Sequence, residues 1–185
     1  MFLAPDLSPS EVEDKLRRTV IEARAITAAL GARPEVERLV YLGVSAGGIF
    51  GTLLLAVEPR IERAVLVLPG GDLARLVQVS EESSVTAYRE AWAARGVPPA
   101  ALAAAFAREV RTEPLTLAPH VDPRRVLLFL GAQDRKVPIE GGLALREALG
   151  RPETYVLAGN HETASVSFGF VLRQALEFLR APSPR

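Results

Sequence analysis

Cysteine is absent from the 185 residues, which excludes disulfides, thiolate catalysis and cysteine-based zinc sites. Histidine is scarce, with only His120 and His161, so a histidine-rich metal centre is not expected, and no cofactor is either. Excess charge of one sign is lacking as well. Lys and Arg together number 22, Asp and Glu also 22, and no run of five or six like charges occurs. A chain so balanced has no electrostatic footprint for nucleic acid or for an anionic membrane surface. Long apolar runs are missing too: no segment approaches the roughly 18 uninterrupted apolar residues of a bilayer span. The opening "MFLAPDLSPS" has no basic region and is broken by Pro5 and Asp6 after four apolar residues, unlike a secretory signal. A cytoplasmic protein is the expectation.

What is present fits one globular domain over residues 1–185, since the length suits a single core and is short for two. Hydrophobic residues make up 49% and charged ones 24%, near the averages for globular chains, which argues against disorder and fibrous structure. The basic residues are almost all arginine and alanine is abundant, a pattern that fits the codon bias of a GC-rich genome.

Periodicity supplies the elements. "MFLAP" reads as a brief strand. In "SPSEVEDKLRRTVIEARAITAALG", Ser8, Pro9 and Glu11 form a capping box with proline at the first helical position, and Gly31 ends the helix. Val12, Leu16, Val20, Ala23, Ile26 and Leu30 recur at helical spacing, which predicts one face laid on something flat. "RLVYLGV" reads as a buried strand, "AGGIFGTLLLAV" as a helix and "RAVLVLPGG" as another continuous apolar strand, the pattern of parallel strands covered on both faces. Residues 72–122 differ: "EESSVTAYREAWAARG" and "PPAALAAAFAREVR" are helical, "GVPP" and "APHVDP" break them, and no strand intervenes. A helical excursion from the sheet is predicted there. "RVLLFLGAQD", "EGGLALREALG", "TYVLAG" and "ASVSFGFVLRQALEFLR" then return to strand, helix, strand and a long amphipathic helix. The alternation specifies an α/β domain with a mostly parallel sheet.

"GVSAGG", Gly43–Gly48, joins one of these strands to a helix through a very tight turn. A turn this sharp forces its central residue into a sparsely populated backbone conformation and requires small neighbours, here Gly43, Ala46, Gly47 and Gly48. The pattern is G-x-S-x-G, which lifts the hydroxyl of Ser45 above the C-terminal edge of the sheet and aims the Ala46 N–H at a developing oxyanion. Chance would supply roughly 0.05 such matches in a chain of this length. A dinucleotide-binding turn would need glycine where Ser45 and Ala46 stand.

A serine hydroxyl needs a base, and the base an orienting carboxylate. "LFLGAQDRKVP" places Asp134 just past a buried strand, and "YVLAGNHETA" places His161 just past the next. With "GVSAGG", "GAQDRKVP" and "LAGNH" in that order, the chain resembles the α/β-hydrolase superfamily over most of its length. The resemblance implies Ser45 as nucleophile, His161 as base, Asp134 as acid and Ala46 as one oxyanion donor. It also implies that 72–122 is a lid and that the activity is cleavage of a carboxylic ester or related acyl substrate, a small molecule.

Each candidate has a rival. Asp72 is an alternative acid, or else the N-cap of the following helix. His120 precedes a strand and falls at the wrong sheet edge. Glu162 suits the start of the last helix, where the dipole favours it. Trp92 and Phe106 read first as packing residues and second as walls of an acyl pocket. Aligned with the superfamily, the chain starts near its fourth strand and lacks the first three, including the strand that lies beside "RLVYLGV" and the loop carrying the second oxyanion donor. The expectation is therefore an exposed sheet edge prone to self-association. A second reading stays open, in which a truncated or partner-dependent domain keeps the three residues without a competent site.

Overall fold

The computed structural model describes residues 3–163 and 168–182. Its first helix, α1 (Pro9–Gly31), begins as the capping box requires: the Ser8 hydroxyl accepts from the Glu11 N–H, and the Glu11 carboxylate accepts from the Ser8 N–H at 2.7 Å. Val12, Leu16 and Val20 are buried along one stripe. The stripe then runs through Ala23 and Thr27, while Ile26 is 62% exposed and Leu30 is also exposed. Thr27 tolerates the buried place because its hydroxyl donates to the Ala23 carbonyl at 2.8 Å. The short strand expected at residues 1–5 is not formed among the described residues. There Pro5 has no N–H to pair, the Leu7 N–H turns back to the Ala4 carbonyl, and Leu3 is buried in the core instead.

Four strands follow: β1 (Leu39–Val44), β2 (Ile61–Val67), β3 (Val126–Gly131) and β4 (Glu153–Leu157). They pair in chain order, all parallel. Every residue of β3 is buried, as its unbroken apolar sequence demands of a strand covered on both faces. Helix α2 (Ala46–Val57) connects β1 to β2. Between β2 and β3 the chain leaves the sheet for α3 (Leu73–Val79), α4 (Ser83–Ala94), α5 (Pro99–Glu109) and α6 (Pro114–Leu117), with no strand among them. Helix α7 (Ile139–Ala148) connects β3 to β4, and α8 (Phe168–Arg180) follows.

The sheet separates two apolar layers. On one face Leu54 and Leu55 of α2 and Leu145 of α7 pack on Ala64, Leu66 and Leu128. On the other, Val171 and Ala175 of α8 pack on Val65, Val67 and Phe129. A third cluster joins α1 to the excursion through Val12, Leu16, Tyr88 and Phe106, with the Tyr88 and Phe106 rings edge to face at 5.9 Å. Each large side chain buried this way contributes roughly 1.5–3 kcal/mol. Polar contacts strap the excursion to the N-terminal segment as well. The Tyr88 hydroxyl and the Trp92 indole N–H both donate to the Leu7 carbonyl, and the Glu13 carboxylate accepts from the N–H groups of Arg111 and Thr112.

The layer under α8 stops short of β1. Val40, Leu42 and Val44 are 44–52% exposed, whereas Val65 and Val67, which face Leu42 and Val44 in register, are buried. β1 pairs only with β2 among the described residues, so its outer edge is open.

Candidate active site

Because the strands are parallel, the residues just past β1, β3 and β4 share the C-terminal edge of the sheet. Ser45, Asp134 and His161 occupy those places.

Ser45 sits between β1 and α2 at φ 54°, ψ −118°, a backbone conformation that costs a non-glycine residue on the order of 1–3 kcal/mol. Its neighbours hold it there. The Ser45 N–H donates to the Val67 carbonyl at 2.8 Å, and its own carbonyl accepts from Ile49 at 3.0 Å. A Cβ at Gly43 would lie on the Gly47 carbonyl group, 2.6 Å from its carbon. One at Gly48 would press on Pro69 at 3.1 Å. Gly47 is different: a Cβ there would meet nothing nearer than the Tyr41 hydroxyl at 4.0 Å, so the close approach is at Gly43 and Gly48. The Tyr41 hydroxyl donates to the Gly47 carbonyl at 2.7 Å and is kept protonated by burial, which pushes its pKa up. Tyr41 lies two residues before Gly43, on the same strand face, a period-2 cue that sequence reasoning did not use.

The Ser45 side chain makes no capping bond to α2, which leaves its hydroxyl available. Ala46, the first residue of that helix, presents one of the N–H groups that an α-helix leaves unpaired at its start.

Asp134 is 5% exposed. Its Oδ1 accepts the backbone N–H of Lys136 and of Val137, both at 2.9 Å, and its Oδ2 lies 2.7 Å from His161 Nδ1. A carboxylate can only accept, so Nδ1 carries a proton, and in the neutral ring the lone pair is then on Nε2. The loop is fixed to the exit of β4 by Ala132 N–H to Leu157 O and Gln133 N–H to Gly159 O. His161 is held by a reciprocal pair that flanks it. The Asn160 N–H donates to Thr163 Oγ1, and the Thr163 N–H donates to Asn160 Oδ1, both at 2.8 Å. Asn160 and Thr163 escaped the sequence reading, although N-x-x-T has the spacing of a capping box.

The acid and histidine are thus joined, and the serine stands apart from them. No hydrogen bond links Ser45 to His161 among the described residues. Ser45 and Ala46 open into a cleft with apolar walls from Leu3, Ile49, Leu76 and Val137. His161 opens into a more polar one with Glu81, Gln133 and Arg135. Lys136 lines both.

The rivals lie elsewhere. Asp72 caps α3, accepting the Arg75 N–H at 2.9 Å. His120 is exposed in a 3-10 turn before β3. Trp92 and Phe106 pack in the cluster with Tyr88. The residues that lead from Glu162 into α8 lie outside the described ones, and with them its expected place at the start of that helix; its carboxylate reaches Lys136 Nζ at 2.8 Å. That contact holds the Glu162 carboxyl below its usual range and raises Lys136 above its own. Among the described residues no cluster of three potential metal ligands exists, and no helix is long and apolar enough to cross a membrane.

No protein-family profile matches the sequence, and no curated protein is significantly similar to it. Solved structures are. Puromycin hydrolase superposes with a TM-score of 0.67 at 19% identity, over 89% of this chain and 26% of that one. The α/β hydrolase GrgF from Penicillium sp. sh18 gives 0.64 at 15%, over 89% and 71%. Acetyl xylan esterase 1 from Thermoanaerobacterium sp. JW/SL YS485 gives 0.61 at 18%, over 89% and 53%. The chain has the α/β-hydrolase fold. It spans about a quarter of puromycin hydrolase and about half of the xylan esterase. The parallel strands β1, β3 and β4 are the parts of this fold whose C-terminal ends hold Ser45, Asp134 and His161, while the helical excursion lies between β2 and β3.

Proposed function

We propose that the protein is a serine hydrolase that cleaves a carboxylic ester or a related acyl substrate. The reading rests on one observation above others: a serine at positive φ on a strand-turn-helix bend shares a sheet edge with a buried aspartate bonded to a histidine. His161 Nε2 takes the Ser45 proton, the alkoxide attacks the acyl carbonyl, and the Ala46 N–H stabilises the oxyanion. Water then hydrolyses the acyl-enzyme with His161 again as base. Asp134 fixes the tautomer in which Nε2 accepts. Contacts between nucleophile and base commonly tighten only in the substrate complex, and the open Ser45–His161 pair is consistent with that. The apolar walls beside Ser45 suit an apolar acyl group. That other proteins of this fold are named hydrolases and esterases supports the class of reaction.

Fluorophosphonate labelling read by intact mass tests the proposal, with Ser45→Ala as control. One adduct that disappears in the variant is the expected result. No adduct on a folded, monodisperse sample overturns it and favours the reading of a non-catalytic, partner-dependent domain.

A further inference from the structure

Lys136 is one of only two lysines in a chain that otherwise uses arginine for its basic side chains, and it stands where the pieces of the site meet. Its backbone N–H donates to Asp134 Oδ1 at 2.9 Å. Its carbonyl accepts the hydroxyl of the buried Ser80 at 2.6 Å. Its ammonium lies 2.8 Å from Glu162, next to His161, and 3.4 Å from Glu82 at the start of α4. The same side chain lines both the Ser45 cleft and the His161 cleft. One residue therefore touches the acid loop, the histidine loop, the excursion and the nucleophile's surroundings. An ammonium between two carboxylates stays protonated, so it cannot serve as base for Ser45.

We propose that Lys136 is a positioning residue, which holds the loop of His161 through Glu162 and ties it to the excursion through Glu82. A compact ammonium suits this place, because its three donors can serve two carboxylates on different elements. The inference rests on the serine-hydrolase reading for its kinetic consequence, though its geometric half stands independently. Asp134 is bonded to the His161 ring; Arg135 and Lys136 from the acid loop, Glu162 from the histidine's own loop and Glu81 from the segment before α4 line the same cleft, and Glu82 pairs with Lys136. Arg135 is paired with Glu81, so Lys136 and Glu162 balance each other beside the ring.

The test uses Lys136→Met, Lys136→Arg, Glu162→Gln and the double variant Lys136→Met/Glu162→Gln. An exposed ion pair of this kind is worth a modest factor, so Lys136→Met should lower kcat about two- to fivefold with KM nearly unchanged, and Lys136→Arg should restore most of it. The second readout is the ring titration of His161 by NMR, made simple by the presence of one other histidine. Removing the ammonium leaves the carboxylates and should move the midpoint up relative to the unaltered protein; removing Glu162 leaves the ammonium and should move it down. The double variant returns near the starting point. Midpoints that do not move, or that move the same way in both single variants, overturn the proposal, as does an increase in kcat. The NMR result decides the role of Lys136 even if Ser45 proves unreactive, so the two readings fail separately.

Discussion

The two halves of the site are built by opposite means. Around Asp134 and His161 the structure is made of hydrogen bonds: two backbone N–H groups on one carboxylate oxygen, the imidazole on the other, and the Asn160–Thr163 pair bracketing the histidine. Around Ser45 it is made of contact distances. The serine side chain makes no cap, its backbone is strained, and Gly43 and Gly48 leave just enough room for the bend. One half should therefore fail when a donor or acceptor changes, the other when an atom is added.

Ser45→Ala bears on both halves at once and has the largest expected effect, a loss of activity on the order of 10⁶-fold if the nucleophile is as placed. Rates of acyl-ester hydrolysis measure it. Asp134→Asn breaks the hydrogen-bonded half. The Lys136 and Val137 N–H groups need an acceptor, so the amide oxygen of the asparagine turns to them and its NH₂ faces His161 Nδ1. The ring must then accept at Nδ1 and carry its proton on Nε2, the wrong tautomer for taking a proton from Ser45. A loss of about 10⁴-fold in kcat is expected with the fold retained; an Asp134→Asn variant of near-normal rate would remove Asp134 from the mechanism.

Gly43→Ala breaks the other half. The new methyl meets the backbone of α2, which cannot rotate away as a side chain could, and about 2 kcal/mol of stability should be lost. That corresponds to a fall of roughly 4–8 °C in Tm, read by calorimetry. Gly47→Ala sharpens the contrast. It adds the same atom two residues after the serine, where space is open, and Tm should change little.

The same division explains what the sequence made legible. Ser45 could be placed because its steric requirement is local: strand, small residues and helix follow one another along the chain. Asp134 and His161 could be placed because each follows a buried strand in a parallel sheet, whose ends lie along one edge. Non-local partners were another matter. The Lys136–Glu162 contact joins residues from two loops, and the strapping of the excursion to Leu7 and Glu13 spans most of the chain. The opening "MFLAP" has the composition of a strand, yet no strand forms there among the described residues, and Leu3 packs into the core instead. Ile26 and Leu30 have helical spacing, but 20, 23 and 27 continue the buried line equally well, and packing chose the latter.

The smallest effect on the fold is expected at the uncovered face of β1. Leu42 stands 50% exposed beside the buried Val65, on a strand whose outer backbone groups have no partner among the described residues. An open strand with an apolar flank invites a second copy to pair, and the expected behaviour is self-association that rises with concentration. Leu42→Lys adds a charge to that face while its methylene stem still covers part of the apolar surface. Because half of Leu42 is already in water, stability should change by no more than about 0.5 kcal/mol. Sedimentation velocity across a concentration series separates the cases. Association in the unaltered protein that is weakened by Leu42→Lys assigns it to this face, whereas association unaffected by the substitution places the contact elsewhere on the molecule. A protein that stays monomeric at high concentration shows instead that the open edge does not recruit its own kind.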